Sequence, residues 1–263
     1  MNYENLCYKT CDLAKTVGEY VRQQVNLISE TDIITKGLHN FVTNVDTRSE
    51  KRIIDGLRKM LPESGFIAEE QTSTKKGLHY NWIVDPLDGT TNYIHGLSPY
   101  AISIALLEDE ELVLGVVYEM SLKECFYAWK GSKAYMNGKV INVSKAIAVE
   151  ESLIATGFPY YDYKRLMEFM KTIEYFIENS HGLRRLGSAA TDLAYVACGR
   201  FDAFYEYSLS PWDVAAGAFI VQQAGGKIGD FKGENNYIFG KEIVASNSAI
   251  YDEFLSIIKK IMY

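Results

Sequence analysis

Four cysteines in 263 residues, none in a Cys-x-x-Cys or Cys/His ligand spacing, are too few and too scattered for a disulfide framework or a zinc site. Cys7 and Cys11 fall one helical turn apart in an amphipathic stretch, and with Cys125 and Cys198 they are expected as packed, reduced thiols. The four histidines are equally dispersed. Only His95 lies near the motifs described below, and it reads as structural. Positive charge is short as well: 27 Lys and Arg against 34 Asp and Glu leave a net charge of −7. Such a balance speaks against a general nucleic-acid or anionic-membrane surface. No apolar run approaches the ~18 residues of a membrane span, and Met1 to Asn5 show no basic segment leading into an apolar one. A cytoplasmic protein is expected, with neither membrane nor nucleic acid as partner. Low-complexity segments and internal repeats are absent. With 48% hydrophobic residues, the chain can fill a large core or two closely packed lobes.

What the chain does have is an apolar strand ending in two carboxylates three residues apart: Trp82-Ile83-Val84-Asp85-Pro86-Leu87-Asp88-Gly89-Thr90-Thr91-Asn92. Pro86 fixes its own φ and biases Asp85 towards an extended conformation. Asp85 is therefore expected to finish the strand and Asp88 to sit beyond a tight turn, both facing one opening. Gly89 and Thr90 offer backbone N–H groups where a short helix can start, an arrangement suited to an anion. Two carboxylates about 4 Å apart repel by about 4 kcal/mol at an effective dielectric of about 20, which asks for a cation between them. A hard divalent ion with oxygen ligands, Mg²⁺ above all, fits that request. Taken alone, the same residues also make an ordinary Asp-capped turn.

The second half of the chain adds further acids. Ser210-Pro211-Trp212-Asp213 opens an apolar helical segment, Val214 to Ala224, in the pattern of a capping box with Asp in place of Glu. Gly225-Gly226 stops it before the strand-like Lys227-Ile228-Gly229. Upstream, Gly65-Phe66-Ile67-Ala68 runs as a short strand into Glu69-Glu70, and Glu206 is expected at the end of a strand from Phe201 to Tyr205. Each acid has a local structural role open to it.

In order and spacing, however, Glu69, Asp85, Asp88, Asp213 and the Gly-Thr-Thr turn resemble the signature of the inositol monophosphatase family. The likeness extends over nearly the whole chain. It takes in Lys36, Asn40 to Asp46, the block from Trp82 to Leu107, Gly187-Ser188-Ala189-Ala190, Glu206 and Trp212 to Gly217. The resemblance implies a layered α-β-α-β-α sandwich of the α/β class, of the inositol monophosphatase and fructose-1,6-bisphosphatase type. It also implies a single domain over 1–263, with lobes of about 1–148 and 149–263, and commonly a homodimer. The implied activity is Mg²⁺-dependent, lithium-sensitive hydrolysis of a small phosphorylated polyol, inositol monophosphate first, by two- or three-metal activation of water. Glu69, Asp85 and the Leu87 carbonyl would hold one ion; Asp85, Asp88 and Asp213 a second; a third, looser ion would sit near Glu69. Thr90 and Glu69 would orient the water, with Asp46 fixing the Thr90 rotamer. The amides of Gly89 and Thr90 would hold phosphate oxygens. Asp88, Ser188, Ala189, Glu206 and Asp213 would face the polyol.

Two departures from the family pattern stand out. Asn40 replaces a common Asp, which removes a charge near the weakest ion, and Lys36 is one residue nearer to Asp46 than in familiar relatives. Arg184 and Arg185 read equally as surface charge or as part of the site. Fructose-1,6-bisphosphatase and 3′-phosphoadenosine 5′-phosphate phosphatase activities are alternatives within the superfamily. A regulatory binding protein that retains the fold is the alternative outside catalysis, because some bacterial relatives associate with transcription machinery.

Local patterns predict helices at Asn5 to Leu27, Arg48 to Met60, Tyr163 to Glu178, Ser188 to Ala197, Val214 to Ala224 and Ile250 to Ile261. They predict strands at Ala101 to Leu107 and Leu112 to Tyr118, and a hairpin turn at Asn137-Gly138.

Overall fold

The computed structural model describes residues 1–25, 33–37 and 40–263. The side chains of 33–37 and 40–43 are outside that description, so the expectations for Lys36 and Asn40 lie outside the described residues.

Helix α1 (Tyr3–Gln24) starts where Asn2 caps it, its side chain accepting from the Asn5 amide at 3.0 Å. Leu6, Cys7, Thr10, Cys11, Ala14, Val17 and Val21 make its buried stripe. A ribbon of β1 (Ile33–Gly37) and β2 (Asn40–Thr43) leads into α2 (Asn44–Met60). That helix begins four residues before the expected Arg48, because an acid at Asp46 suits the dipole of a first turn. Then come β3 (Gly65–Ala68), β4 (Tyr80–Asp88), α3 (Thr90–Ile94), β5 (Ala101–Glu108), β6 (Glu111–Glu119), β7 (Glu124–Trp129), β8 (Ala134–Met136) and β9 (Lys139–Ile141). These strands form a seven-stranded sheet in sequence order, antiparallel except for the β3–β4 pair. Asn137 and Gly138 turn β8 into β9 with φ of 48° and 83°, as a type I′ hairpin requires.

The remainder runs β10 (Leu153–Thr156), α4 (Leu166–Glu178), β11 (Gly182–Arg184), α5 (Ala189–Ala197), β12 (Ala203–Tyr207), α6 (Pro211–Gln223), β13 (Gly226–Gly229), β14 (Glu242–Asn247) and α7 (Tyr251–Met262). A five-stranded sheet in the order β11-β10-β12-β14-β13 results, parallel over its first three strands and antiparallel thereafter.

Burial shows how these pieces stack into the expected α-β-α-β-α sandwich. Val17, Ile53 and Leu57 of α1 and α2 pack on Trp82, Ile102 and Val116 of the large sheet. Its other face, at Ile83, Ala105 and Val117, meets Leu193, Ala216 and Ile220 of α5 and α6, which also touch Phe204, Ile243 and Ala245 of the second sheet. Because α6 lies between two sheets it is apolar on every side. Phe169 and Phe176 of α4 with Phe254 and Ile258 of α7 close the far face over Ile154, Tyr205 and Val244. Each fully buried aliphatic or Phe side chain of this kind contributes about 1.5–3 kcal/mol. The four cysteines are free, three of them buried. No helix among the described residues is long and apolar enough to cross a membrane.

Two local departures from the sequence reading bear on the site. Asp88 is the last residue of β4, opposite Ala101 on β5, and does not lie beyond a turn; the ladder absorbs the extra residue as a bulge between Asp85 and Asp88. Pro86, which has no N–H to give to the ladder, sits inside that bulge. Strand β12 starts two residues later than expected, since the Phe201 amide is taken by the Tyr195 carbonyl at the end of α5. Alternation along β12 then sends Tyr205 to the outer helices and Phe204 to the middle layer, so Glu206 shares the face of Phe204.

Candidate active site

A cavity of about 550 Å³ opens where the end of β4, the start of α6 and the loop before α5 meet. Its walls bring together Glu69, Asp85, Leu87, Asp88, Gly89, Thr90, Ser188, Ala189, Glu206 and Asp213, all expected at the site. Asp46 stands just behind, buried under Thr90. His95 and Arg184 are exposed and not among the cavity-lining residues.

Each carboxylate is aimed by a short polar contact. Asp85 Oδ1 accepts the Leu87 amide at 2.9 Å, a bond made possible by the bulge. Asp88 Oδ2 accepts Ser188 Oγ at 2.6 Å and the Ala190 amide at 2.8 Å, which ties the first sheet to the N-terminus of α5. Asp213 Oδ2 accepts the Ser210 amide at 2.7 Å in the expected capping box. One oxygen from each of Asp85, Asp88 and Asp213 falls within 4.8 Å of the others. Glu69 lies close enough to Asp85 for each carboxylate to be affected by the other.

So many acids in a confined space raise one another's proton affinity. Burial, then the neighbouring charges of Asp213 and Glu70, lifts Glu69 well above the usual carboxylate range. Burial and the charges of Glu69 and Asp88 do the same to Asp85. Asp88 is pushed up to about 6 by burial, against its hydrogen bonds from Ser188 and the α5 amides. Asp213 is pushed up to about 7 by burial and the charge of Asp88. The group is short of positive charge and offers oxygen donors alone, the ligand set that hard divalent cations accept.

Thr90 Oγ1 lies 2.9 Å from the Leu87 carbonyl and 3.3 Å from Asp46 Oδ1. Its single proton is therefore taken up by Leu87 or Asp46, which leaves its oxygen free to accept. Gly89 links strand to helix at φ +90°; a Cβ there would lie 3.0 Å from the Pro99 carbonyl and 3.2 Å from that of Gly187, so only glycine fits.

Arg185 and Gly157 line the cavity, and Asp192 is buried off its surface; none of the three was fixed as a site residue by the sequence reading. Arg185 lines the cavity, donates to the Tyr160 hydroxyl and lies over the Phe158 ring at 5.4 Å. Its charge partly offsets Glu206 and Asp192, both buried and both held well above the usual carboxylate range by that burial. Asp192, on α5, keeps Oδ1 buried without a hydrogen-bond partner. Gly157 presses against Glu206 so closely that a Cβ would fall 2.1 Å from its carboxylate. No spacing motif announces these contacts, since the partners come from different strands and helices.

The profile of the inositol monophosphatase family matches residues 2–263. Over 246 residues the chain is 38% identical to a putative Nus factor SuhB of Neisseria meningitidis serogroup B, covering 93% of this chain and 94% of that one. It is 39% identical over 226 residues to a fructose-1,6-bisphosphatase/inositol-1-monophosphatase of Thermotoga maritima, covering 86% of this chain and 85% of that one. The crystal structure of extragenic suppressor protein suhB from Bartonella henselae superposes with a TM-score of 0.91 at 34% identity, over 97% of this chain and 99% of that one. A layered sandwich with a carboxylate-lined cavity, matched along its whole length, defines the class: the chain belongs to the inositol monophosphatase family.

Proposed function

We propose that the protein is a Mg²⁺-dependent phosphomonoesterase that hydrolyses a small phosphorylated polyol, inositol monophosphate first among them. The carrying observation is the convergence of Asp85, Asp88 and Asp213 oxygens within 4.8 Å at the cavity that Thr90 and Glu69 also line. Glu69, Asp85, the Leu87 carbonyl, Asp88 and Asp213 would hold two or three ions. Bound there, Mg²⁺ neutralises the acids and polarises the phosphate ester.

The remaining work falls to the chain's own groups. Thr90, its proton committed to Leu87 or Asp46, accepts a hydrogen bond from the attacking water, and Glu69 accepts the other. Holding that water in line for displacement supplies a positioning advantage that is forfeited by small shifts. The Gly89 and Thr90 amides receive phosphate oxygens, and no covalent phosphoenzyme is needed. Asp88, the Ser188–Ala189 backbone, Glu206 and Asp213 accept from the polyol hydroxyls. In this reading the chain is one domain, a homodimer of the cytoplasm, inhibited by Li⁺ at an oxygen-lined ion site.

A second reading, a regulatory binding protein, is favoured by the 38% identity to a relative named as a putative Nus factor. The complete carboxylate set and the net charge of −7 favour turnover over nucleic-acid contact. A panel of myo-inositol 1-phosphate, fructose 1,6-bisphosphate and 3′-phosphoadenosine 5′-phosphate, with Mg²⁺, with chelator and with Li⁺, separates the readings. The expected result is Mg²⁺-dependent release of phosphate, fastest from the inositol ester and suppressed by millimolar Li⁺. Silence on every ester would overturn catalysis in favour of the binding role.

A further inference from the structure

Helix α2 reaches the cavity region twice, through Asp46 and, one turn later, through Glu50. Glu50 is fully buried, yet its carboxylate is satisfied entirely by the segment that follows β3. Oε2 accepts the Glu70 amide at 2.7 Å, and Oε1 accepts both the amide and the hydroxyl of Thr72 at 2.7 Å. Between those anchors Gln71 holds the left-handed conformation, φ 54°, which a side-chain-bearing residue keeps only where its surroundings impose it.

From this clamp we infer that Glu50 is a positioning residue for the metal-facing carboxylate of Glu69, an inference that rests on the proposed phosphatase reading. The Glu70 amide belongs to the planar peptide that leaves Glu69, so anchoring it sets the orientation of the Glu69 Cα. On the other side, the Glu69 amide donates to the Val84 carbonyl of β4 at 3.3 Å. Glu69 is thereby pinned between β4, which carries Asp85 and Asp88, and α2, which carries the Asp46 that backs Thr90. One rigid helix thus sets both groups proposed to orient the water. Charge-assisted bonds donated to a buried carboxylate are strong enough to hold such a loop.

The test uses the full chain and reads Mn²⁺ binding by calorimetry or electron paramagnetic resonance, beside kcat, KM for myo-inositol 1-phosphate and the melting temperature in chelator. Glu50→Gln places an amide group against one of the three donors and is expected to weaken Mn²⁺ binding about tenfold or more, as lost outer contacts to metal ligands do. It should lower kcat and leave KM within about twofold. Thr72→Val leaves the Glu50 charge in place and removes one hydrogen bond, so a loss of about fivefold in Mn²⁺ affinity is expected. Should Glu50→Gln fail to fold, Thr72→Val carries the test alone. Mn²⁺ affinity unchanged in Thr72→Val would overturn the inference, whatever happens to melting, and leave Glu50 as a loop staple or a remote charge. Wild-type protein that binds no Mn²⁺ would overturn the phosphatase reading itself and the inference with it.

Discussion

The two ends of the cavity hold their carboxylates in opposite ways. At the β4 end, Asp85, Asp88 and Asp213 each accept hydrogen bonds from a bulge, a helix start or a capping box. On the far wall, Glu206 is pressed on by Gly157 with the Arg185 charge as its offset, and Asp192, buried off the cavity surface, keeps an oxygen unpartnered. The first arrangement suits groups that must hold a fixed geometry around cations and a reacting phosphate. The second leaves the cavity-lining Glu206 open to hydroxyl donors, because an acceptor without a partner gains most when one arrives. Damage at the first end should therefore depress turnover on every ester, and damage at the second should change only which ester is preferred.

The largest effect should come from Asp88→Asn, which removes one charge from the cluster and disturbs the tie to α5. Turnover is expected to fall by roughly 10²–10³ on all esters, in the range of losing a main electrostatic stabiliser. A variant with near-normal rate on inositol phosphate would erase the difference between the ends.

Next in size is Thr90→Ala, expected to cost about a hundredfold in kcat through loss of water orientation, with Thr90→Ser retaining much of the rate. Rapid quenching of wild type with labelled substrate should trap no phosphorylated enzyme. Recovery of a phospho-Asp85 or phospho-Asp88 peptide would replace the direct displacement with a covalent route.

On the far wall, Glu206→Gln is expected to raise KM for an inositol phosphate by about tenfold while an aryl phosphate is hydrolysed almost as before. Gly157→Ala should act in the same direction, since its Cβ would displace the Glu206 carboxylate from 2.1 Å away. Equal losses on both substrates would show that the wall is structural.

The smallest expected effect is on stability. Asp88 and Asp213 have folded-state values of about 6 and about 7, above the ordinary 3.8 of an unfolded Asp. An acid raised in this way favours the folded state while protonated, so its contribution is present at pH 4 and is lost as the pH climbs through 6 and 7. In chelator, melting temperature should therefore fall between pH 4 and pH 8, and Mg²⁺ should restore it progressively over the same interval. A chelated protein equally stable at both ends of that range would mean that the cluster carries no uncompensated charge.

Much of this was legible in the chain because it is local. The Asp-Pro-Leu-Asp-Gly-Thr-Thr run carries its own strand end and helix start, Ser210 and Asp213 cap their own helix, and Asn137-Gly138 turns its own hairpin. Period and turn chemistry act over a few residues, so the sequence by itself determined these elements and, through their order, the family likeness. The bulge that keeps Asp88 in β4 was not legible, because it depends on pairing with Ala101 and Ser103 of β5. Nor was Glu206's place inside β12, which follows from the pairing of Glu206 with Ile243 and of Tyr207 with Glu242 on β14. Arg185, Gly157, Asp192 and Glu50 belong to the same class: ordinary residues in ordinary surroundings until packing sets them against partners tens of residues away. Only the tertiary structure decided their roles, since a carboxylate's proton affinity and a side chain's aim depend on burial and neighbours that the chain acquires when its five layers close.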